Sequence, residues 1–497
     1  MVSYSFLLPE SLPEPVSQGL SRAFLLSGTE YVPWPTEVLL KDNELTVQCH
    51  ANESSCLSAP WPVDGRGHVL HTSGNLMPRG EPYHLVLELA RGKVNHVRTQ
   101  AADWEMGGLV ISDELRSALR AMTQAFIHAA CNQDNSSTIR RFSQEAIDRA
   151  AVAGEQLLSA YVNQVFHFRL VREQPLATTL ACRINGSVPD ASRTALLRET
   201  FNGIQIPFLW PSIEPSEGEY VWEATDALLS WAEGKGWEVV GGPVIDFGNP
   251  ALPAWLSRYR GDLRRLINYM DDYLEMVLQR YGDRIRTWEL TAASNLPHVL
   301  GLNKDELLHL TNRLFDTAQQ LKPDLAFVLG LAQPWGEYLA RDDQAYYPFL
   351  FADALLRNRA AVSAVNLEIL MGVQPRGSFL RDGLEISRIV DLYALLGLPL
   401  RVTLGCPSGS GSDSLAPVEH AAQARGGEAD WSPSVQAHWA EQVVSLALCK
   451  PFVEGVTWVH FTDDQPHWFP HAGLLASDGQ PKPVLDFLRN FRRTRLR

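Results

Sequence analysis

Apolar and polar residues alternate along this chain in three successive textures. Up to about residue 107, short segments such as Glu44–Cys49, His68–His71 and Tyr83–Leu89 show partial period-two alternation, separated by Pro, Gly and Asn clusters. That pattern predicts strands of a small antiparallel β-sandwich over 1–107. The period then lengthens. Ser112 is an N-cap with Asp113 and Glu114 in the first turn, and Leu115, Leu119, Met122 and Phe126 recur at helical spacing. After the polar break Asn132–Ser137, a second stripe starting at Ser143 runs through Ile147, Ala151, Leu158, Tyr161, Val165 and Phe168. Two such stripes predict an αα-hairpin over 108–175, which must bury its apolar face against a neighbour.

From about 176 onward, short apolar runs alternate with helical periods. The runs are Leu176–Cys182, Gly203–Pro207, Glu238–Ile245, Ile285–Leu290, Leu325–Leu331, Ala364–Ile369, Leu400–Leu404 and Gly455–Val459. Helices are expected at Leu263–Tyr281, Lys304–Gln320, Leu384–Leu396, Val435–Leu448 and Val484–Arg492. Eight strand–helix units in strict alternation predict an α/β fold, a (β/α)₈ TIM barrel over 176–497. An open doubly wound sheet is the competing architecture. It needs a Gly-rich phosphate turn after the first strand, and the stretch RINGSVPD offers none.

Composition narrows the chemistry. The 497 residues are 45% hydrophobic and 20% charged, with a net charge of −14, a globular balance whose acidic surface repels phosphate backbones and excludes nucleic acid as a partner. Six cysteines lie scattered without metal-type spacing and are expected as free thiols. The first residues lack a basic, apolar leader, and no membrane span is seen, so a cytoplasmic location is expected. The sequons at Asn52, Asn135 and Asn185 then carry no meaning.

Several segments in order resemble the xylanases of glycoside hydrolase family 10. FNGIQIPFLWPSIEPSEGEYVWEATDALLSWAEGKGWEV at 201–239 is similar to the family's second strand, its Glu-Pro turn and the helix that follows. LPAWL at 252–256, RYGDRIRTWEL at 280–290 and LGLPLRVT at 396–403 resemble the third, fourth and seventh strand regions. GVTWVHFTDDQPHWFPHAGLLASDGQPKP at 455–483 is similar to the family's Trp–Asp–Trp, Gly-Leu-Leu and Lys-Pro ending. The resemblance implies a carbohydrate ligand and no cofactor. It also places Ala293 where the family carries its acid/base glutamate and Leu404 where it carries its nucleophile. Neither side chain can move a proton or attack carbon, so the family's mechanism requires carboxylates from elsewhere.

Candidate replacements are Glu368, Glu337 and Asp246. Glu368 shares strand parity with Asn366 and faces the barrel interior, either as a functional acid or in an ion pair with Arg401. Glu337 follows the fifth strand. Asp246 follows the third and is equally suited to an Asx turn. Glu289 lies four residues below Ala293 and is read as structural. For the substrate, Trp210, Asn295, Trp335 and Arg401 are candidates, with His460, Asp463, Asp464, His467 and Trp468 in the loop after the eighth strand. Aromatic faces stack on sugar rings, and His and Asp accept or donate to hydroxyls. No helical HxxxH geometry suggests a metal there. The loop 405–433, rich in Gly, Ser and Ala, is expected to overhang the barrel mouth as a lid or as a flexible segment. Three functions compete: a glycoside hydrolase with relocated carboxylates, a carbohydrate-binding pseudoenzyme, and a structural subunit. The sequence leaves the oligomeric state open.

Overall fold

The computed structural model describes all residues except 1, 10, 11, 13, 29, 51, 52, 174, 249, 250, 418, 424, 426–429 and 497, together with the backbone but not the side chain of Pro15. The sequon at Asn52 lies outside the described residues.

Eight parallel strands form the barrel: strand one Thr179–Arg183, two Gly203–Ile206, three Glu238–Gly241, four Thr287–Ala292, five Ala326–Ala332, six Ala364–Leu370, seven Leu400–Gly405 and eight Val453–Trp458. Each pairs with the next, and strand eight pairs with strand one through Gly455↔Thr179 to Trp458↔Cys182, so the sheet is closed. Strand three continues after a break as Ile245–Asp246, which pairs with the tip of strand four. The expected strands therefore sit within a few residues of the observed ones. Strand six is buried over its whole length, as a strand covered by helices on one side and barrel interior on the other must be.

Helix starts follow local chemistry. Asp262 caps Leu263–Tyr281, and Asn303 with Glu306 forms a capping box on Lys304–Leu321. Asp382 caps Gly383–Ala394, and Ser432 caps Pro433–Cys449. The last helix is Pro483–Arg495.

Two four-stranded sheets precede the barrel. One has the order 37–41, 44–49, 2–7, 83–84; the other has 32–34, 24–27, 56–63, 67–72. The expected strand at Tyr83–Leu89 is corrected: only Tyr83–His84 is extended, and Leu85–Met106 is a 22-residue helix. The run Leu85–Ala90 is buried all round, and a short apolar run does not distinguish strand from helix. The stripe continues through Val94, Val97 and Ala101 at helical spacing. The hairpin helices are Asp113–Ala130 and Ser136–Arg172. The second begins seven residues earlier than expected, capped by Asn135, with Ser143 buried inside it. The long helix packs on both other helices and on the barrel helices 383–394 and 433–449.

The N-terminal elements dock beside the barrel mouth. Leu70 N–H donates to Leu380 O at 2.8 Å and Thr36 N–H to Ala340 O at 3.0 Å. Lys93 on the helix Leu85–Met106 pairs with Asp382 at 2.7 Å. Among the described residues no helix is long and apolar enough to cross a membrane.

Candidate functional site at the barrel mouth

Inside the barrel, one carboxylate organises the lower layer. Glu289, 1% exposed, accepts from Asn366 Nδ2 at 2.7 Å and Arg183 Nη2 at 3.3 Å, and also from Gln205. Asn366 in turn donates to Thr403 Oγ1 at 2.9 Å. A Cβ at Gly330 would come within 2.5 Å of the Glu289 carboxylate, so strand five needs a glycine there. The five strands that supply these groups are locked together, which fits the structural reading of Glu289.

Above this layer Asp246 and Glu368 meet at one guanidinium. Arg376, from the loop after strand six, donates through Nη2 to both Asp246 oxygens at 2.9 and 3.1 Å and stands 3.6 Å from Glu368 Oε2. Its guanidinium also lies 4.4 Å from the centre of the Trp468 ring, and Trp468 Nε1 donates to Asp246 Oδ2 at 3.3 Å. Gly248 N–H donates to Asp246 at 2.8 Å, the Asx turn that was one of the two readings of this residue. A side chain at 248 would collide with Arg376 Nη1, so glycine admits the guanidinium. Burial raises the Glu368 carboxyl above its usual range; Arg376 opposes this and Asp246 adds to it. Against its own burial, Arg376 is held charged by Asp246 and Glu368.

The ion pair expected between Glu368 and Arg401 is replaced by this one. Arg401 instead pairs with Glu454 at 2.7 Å and Glu238 at 2.9 Å, at the N-terminal end of the barrel where strands three and eight begin. It lies at the opposite end from the mouth.

Other candidates sit apart. Glu337 pairs with Arg381 and accepts from Phe379 N–H at 3.2 Å, and the Arg381 guanidinium covers the Trp335 ring at 4.3 Å. Trp210 is 1% exposed, stacks on Tyr273 at 4.4 Å and donates to Glu214 at 2.7 Å, which makes it a wall of the outer core. Asn295 accepts from Ala332 N–H at 3.0 Å and donates to Ala332 O and Tyr338 Oη, tying the loop after strand four to strand five.

The loop after strand eight forms a polar lattice. His460 Nε2 is 3.2 Å from Asp463, which pairs with Lys482 at 2.5 Å. The His460 and His467 rings stack at 4.6 Å, and His467 Nε2 reaches Asp413 at 2.9 Å. Asp464 pairs with Arg193 on the helix after strand one. Burial pushes His460 down to about 4. Donor atoms of His460, Asp463 and His467 all lie within 4.8 Å of one another, the one such cluster among the described residues. The Lys482 ammonium already neutralises Asp463, which leaves a divalent ion only two imidazoles and a paired carboxylate.

The roof of the mouth comes from two loops. Val373–Gln374 pairs with Ala421–Ala422, and His420 packs on Trp468 with ring centres 5.6 Å apart. Asp413, in the stretch expected to be flexible, is anchored by His467 and the backbone N–H of His471. Ala293 and Leu404 beneath are fully buried. Arg376, Arg381 and His420 were not marked by any sequence pattern, and Lys482 entered only as part of the Lys-Pro ending. An arginine in a loop after an acidic strand tip is the one available signal, since it can fold back over that tip.

Solved structures with a similar chain path include native xylanase 10B from Thermotoga maritima, at 16% identity with a TM-score of 0.48, covering 63% of this chain and 94% of that one. Xylanase B from Clostridium stercorarium F9 is also similar, at 16% identity with a TM-score of 0.48, covering 63% and 96%. A psychrophilic glycoside hydrolase family 10 endo-beta-1,4-xylanase follows at 14% identity with a TM-score of 0.47, covering 63% and 96%. In sequence, residues 176–292, which carry strands one to four, match the family model described as Glycosyl hydrolase family 10.

Proposed function

We propose that this glycoside hydrolase-like protein binds a glycan and does not cleave it. One observation carries the reading: the two carboxylates that meet at the mouth clasp a buried arginine under Trp468. Hydrolysis of a glycosidic bond needs one carboxyl free to give a proton and another free to attack or to activate water, about 5–9.5 Å apart across an open site. Here an arginine occupies the space between the acids, and Ala293 and Leu404 stand where the resemblance puts the family's two glutamates. The barrel keeps the scaffold of a sugar-cleaving enzyme and lacks its reaction centre. Six free cysteines suit a reducing compartment, and we place the protein in the cytoplasm.

A second reading has a specific observation in its favour. Asp246 and Glu368 both approach Arg376 Nη2, and Glu368 has a raised pKa while Asp246 accepts from Arg376, Gly248 and Trp468. If the loop bearing Arg376 withdraws, an acid and a base face one another.

A panel of xylans, other β-glycans and their oligosaccharides separates the two, with new reducing ends and equilibrium binding measured on the same samples. Binding without turnover, unchanged in Glu368→Gln, is the expected result. Turnover abolished by Glu368→Gln establishes the hydrolase and overturns the binding-only reading.

A further inference from the structure

A cleft of about 720 Å³ lies between the sheet containing 67–72, the helix Leu85–Met106 and the loops after strands five and six. That volume is within the roughly 300–1,000 Å³ of small-molecule sites. It shares no residue with the Asp246–Arg376–Glu368 cluster. Its walls include His71, Lys93, His96, Trp335, Arg381 and Glu385.

Close packing shapes this cleft. A Cβ at Gly92 would sit 1.9 Å from Thr72 O, so only glycine lets the helix approach the sheet this closely. The cations of the walls are already matched. Lys93 pairs with Asp382, Arg388 with Glu385 at 2.5 Å, and Arg381 with Glu337. An anionic ligand finds no spare positive charge. Three side chains that line the cleft each carry a buried ring nitrogen with no hydrogen-bond partner among the described residues: His71 Nε2, His96 Nε2 and Trp335 Nε1. His71 is 3% exposed and Trp335 is 4% exposed. Buried donors and acceptors are nearly always satisfied, so three orphans around one cavity point to an occupant that bonds them. Burial holds His71 down to about 3 and also lowers His96, so both imidazoles are neutral and each can give one hydrogen bond and accept another. A hydroxyl has the same dual capacity. Phe24, Leu26 and Leu70 add an apolar wall suited to the C–H face of a sugar ring.

From these features we infer that the cleft between the N-terminal sheet and the barrel is a binding site for a neutral, polyhydroxylated molecule of about mono- to trisaccharide size. This rests on the glycan-binding reading above and relocates the sugar from the closed mouth to the junction.

The test uses the full chain and a panel of neutral mono-, di- and trisaccharides. Binding is measured by calorimetry for the wild type, His71→Phe, His96→Leu and the mouth variant Trp468→Ala. Histidine ring signals of the wild type are followed by NMR during the titration. The expected result is at least tenfold weaker binding in each cleft variant, unchanged binding in Trp468→Ala, and shifts of the His71 and His96 rings. The ring shifts need no variant and so do not depend on its folding. Binding that is lost in Trp468→Ala and leaves both rings unmoved overturns the cleft and leaves the glycan reading standing. No binding by any saccharide to the wild type overturns both.

Discussion

Replacing Arg376 with methionine tests the closed mouth most directly. Arg376 is 8% exposed, and its guanidinium is bonded to both oxygens of Asp246 and 3.6 Å from Glu368. Removing one partner of a buried ion pair leaves an uncompensated charge and costs about 3–5 kcal/mol. At an unfolding entropy of about 2.1 cal/mol/K per residue, each kcal/mol shifts the Tm of a barrel of about 320 residues by about 1.5 °C, so the barrel transition should fall by roughly 4–8 °C at pH 8. The deficit depends on pH in a fixed direction. Glu368 already has a raised pKa in the folded protein, and Arg376 is the influence that lowers it. Without Arg376 that pKa climbs further. A carboxyl whose folded pKa exceeds its unfolded value of about 4.3 loses stability as pH rises between the two values. The Glu368 share of the penalty is therefore smallest near pH 4, grows as pH rises, and levels off above the variant's folded pKa, while the bonds lost to Asp246 add to the deficit at both pH values. Scanning calorimetry of wild type and Arg376→Met at pH 4.5 and 8 measures it, and adding Glu368→Gln should recover much of the loss. A variant as stable as wild type at pH 8, or a deficit that does not change with pH, refutes the reasoning.

Glu289→Ala strips Arg183, Gln205 and Asn366 of their common acceptor, and denaturant unfolding should show a loss of about 3–5 kcal/mol, with Glu289→Gln milder. Gly92→Ala places a methyl 1.9 Å from a backbone oxygen that cannot yield; overpacking of about 1–3 kcal/mol should loosen the helix Leu85–Met106, seen as faster cleavage in limited proteolysis. Lys93 holds the Asp382 carboxyl well below the usual carboxylate range against the burial that raises it. This contribution is complete above the unfolded carboxylate pKa of about 4 and is lost as pH falls below it. Protection factors for amide exchange in that helix should therefore fall on acidification in wild type and be low and less pH-sensitive in Lys93→Met.

The barrel was legible because each strand is a short apolar run bounded by Pro, Gly or a helix cap, and each cap is local chemistry. Glu44–Cys49 and Leu263–Tyr281 were placed to the residue for that reason. The helix at 85–106 was misjudged because its first turns are buried on every side, which erases the periodic signal. The mouth was legible only in its acids. Asp246 and Glu368 lie 122 positions apart, and they are joined by a loop arginine whose place depends on a glycine at 248 and on the ribbon that its own loop forms with the loop after strand seven. Glu337 and Arg401 look equally available in sequence. Their partners, Arg381 and the Glu238–Glu454 pair, are fixed by tertiary packing that no local pattern encodes.

The docking of the N-terminal helices bears on how the chain can be dissected. Gly383 has Leu158 against it, Asp382 has Lys93, and Leu448 O receives Arg169. Truncation at residue 176 would strip the partners from a carboxylate, a carbonyl and an apolar helix face at once, and the shortened barrel should be sticky and poorly soluble. A barrel cut at residue 176 is therefore a poor stand-in for the whole chain.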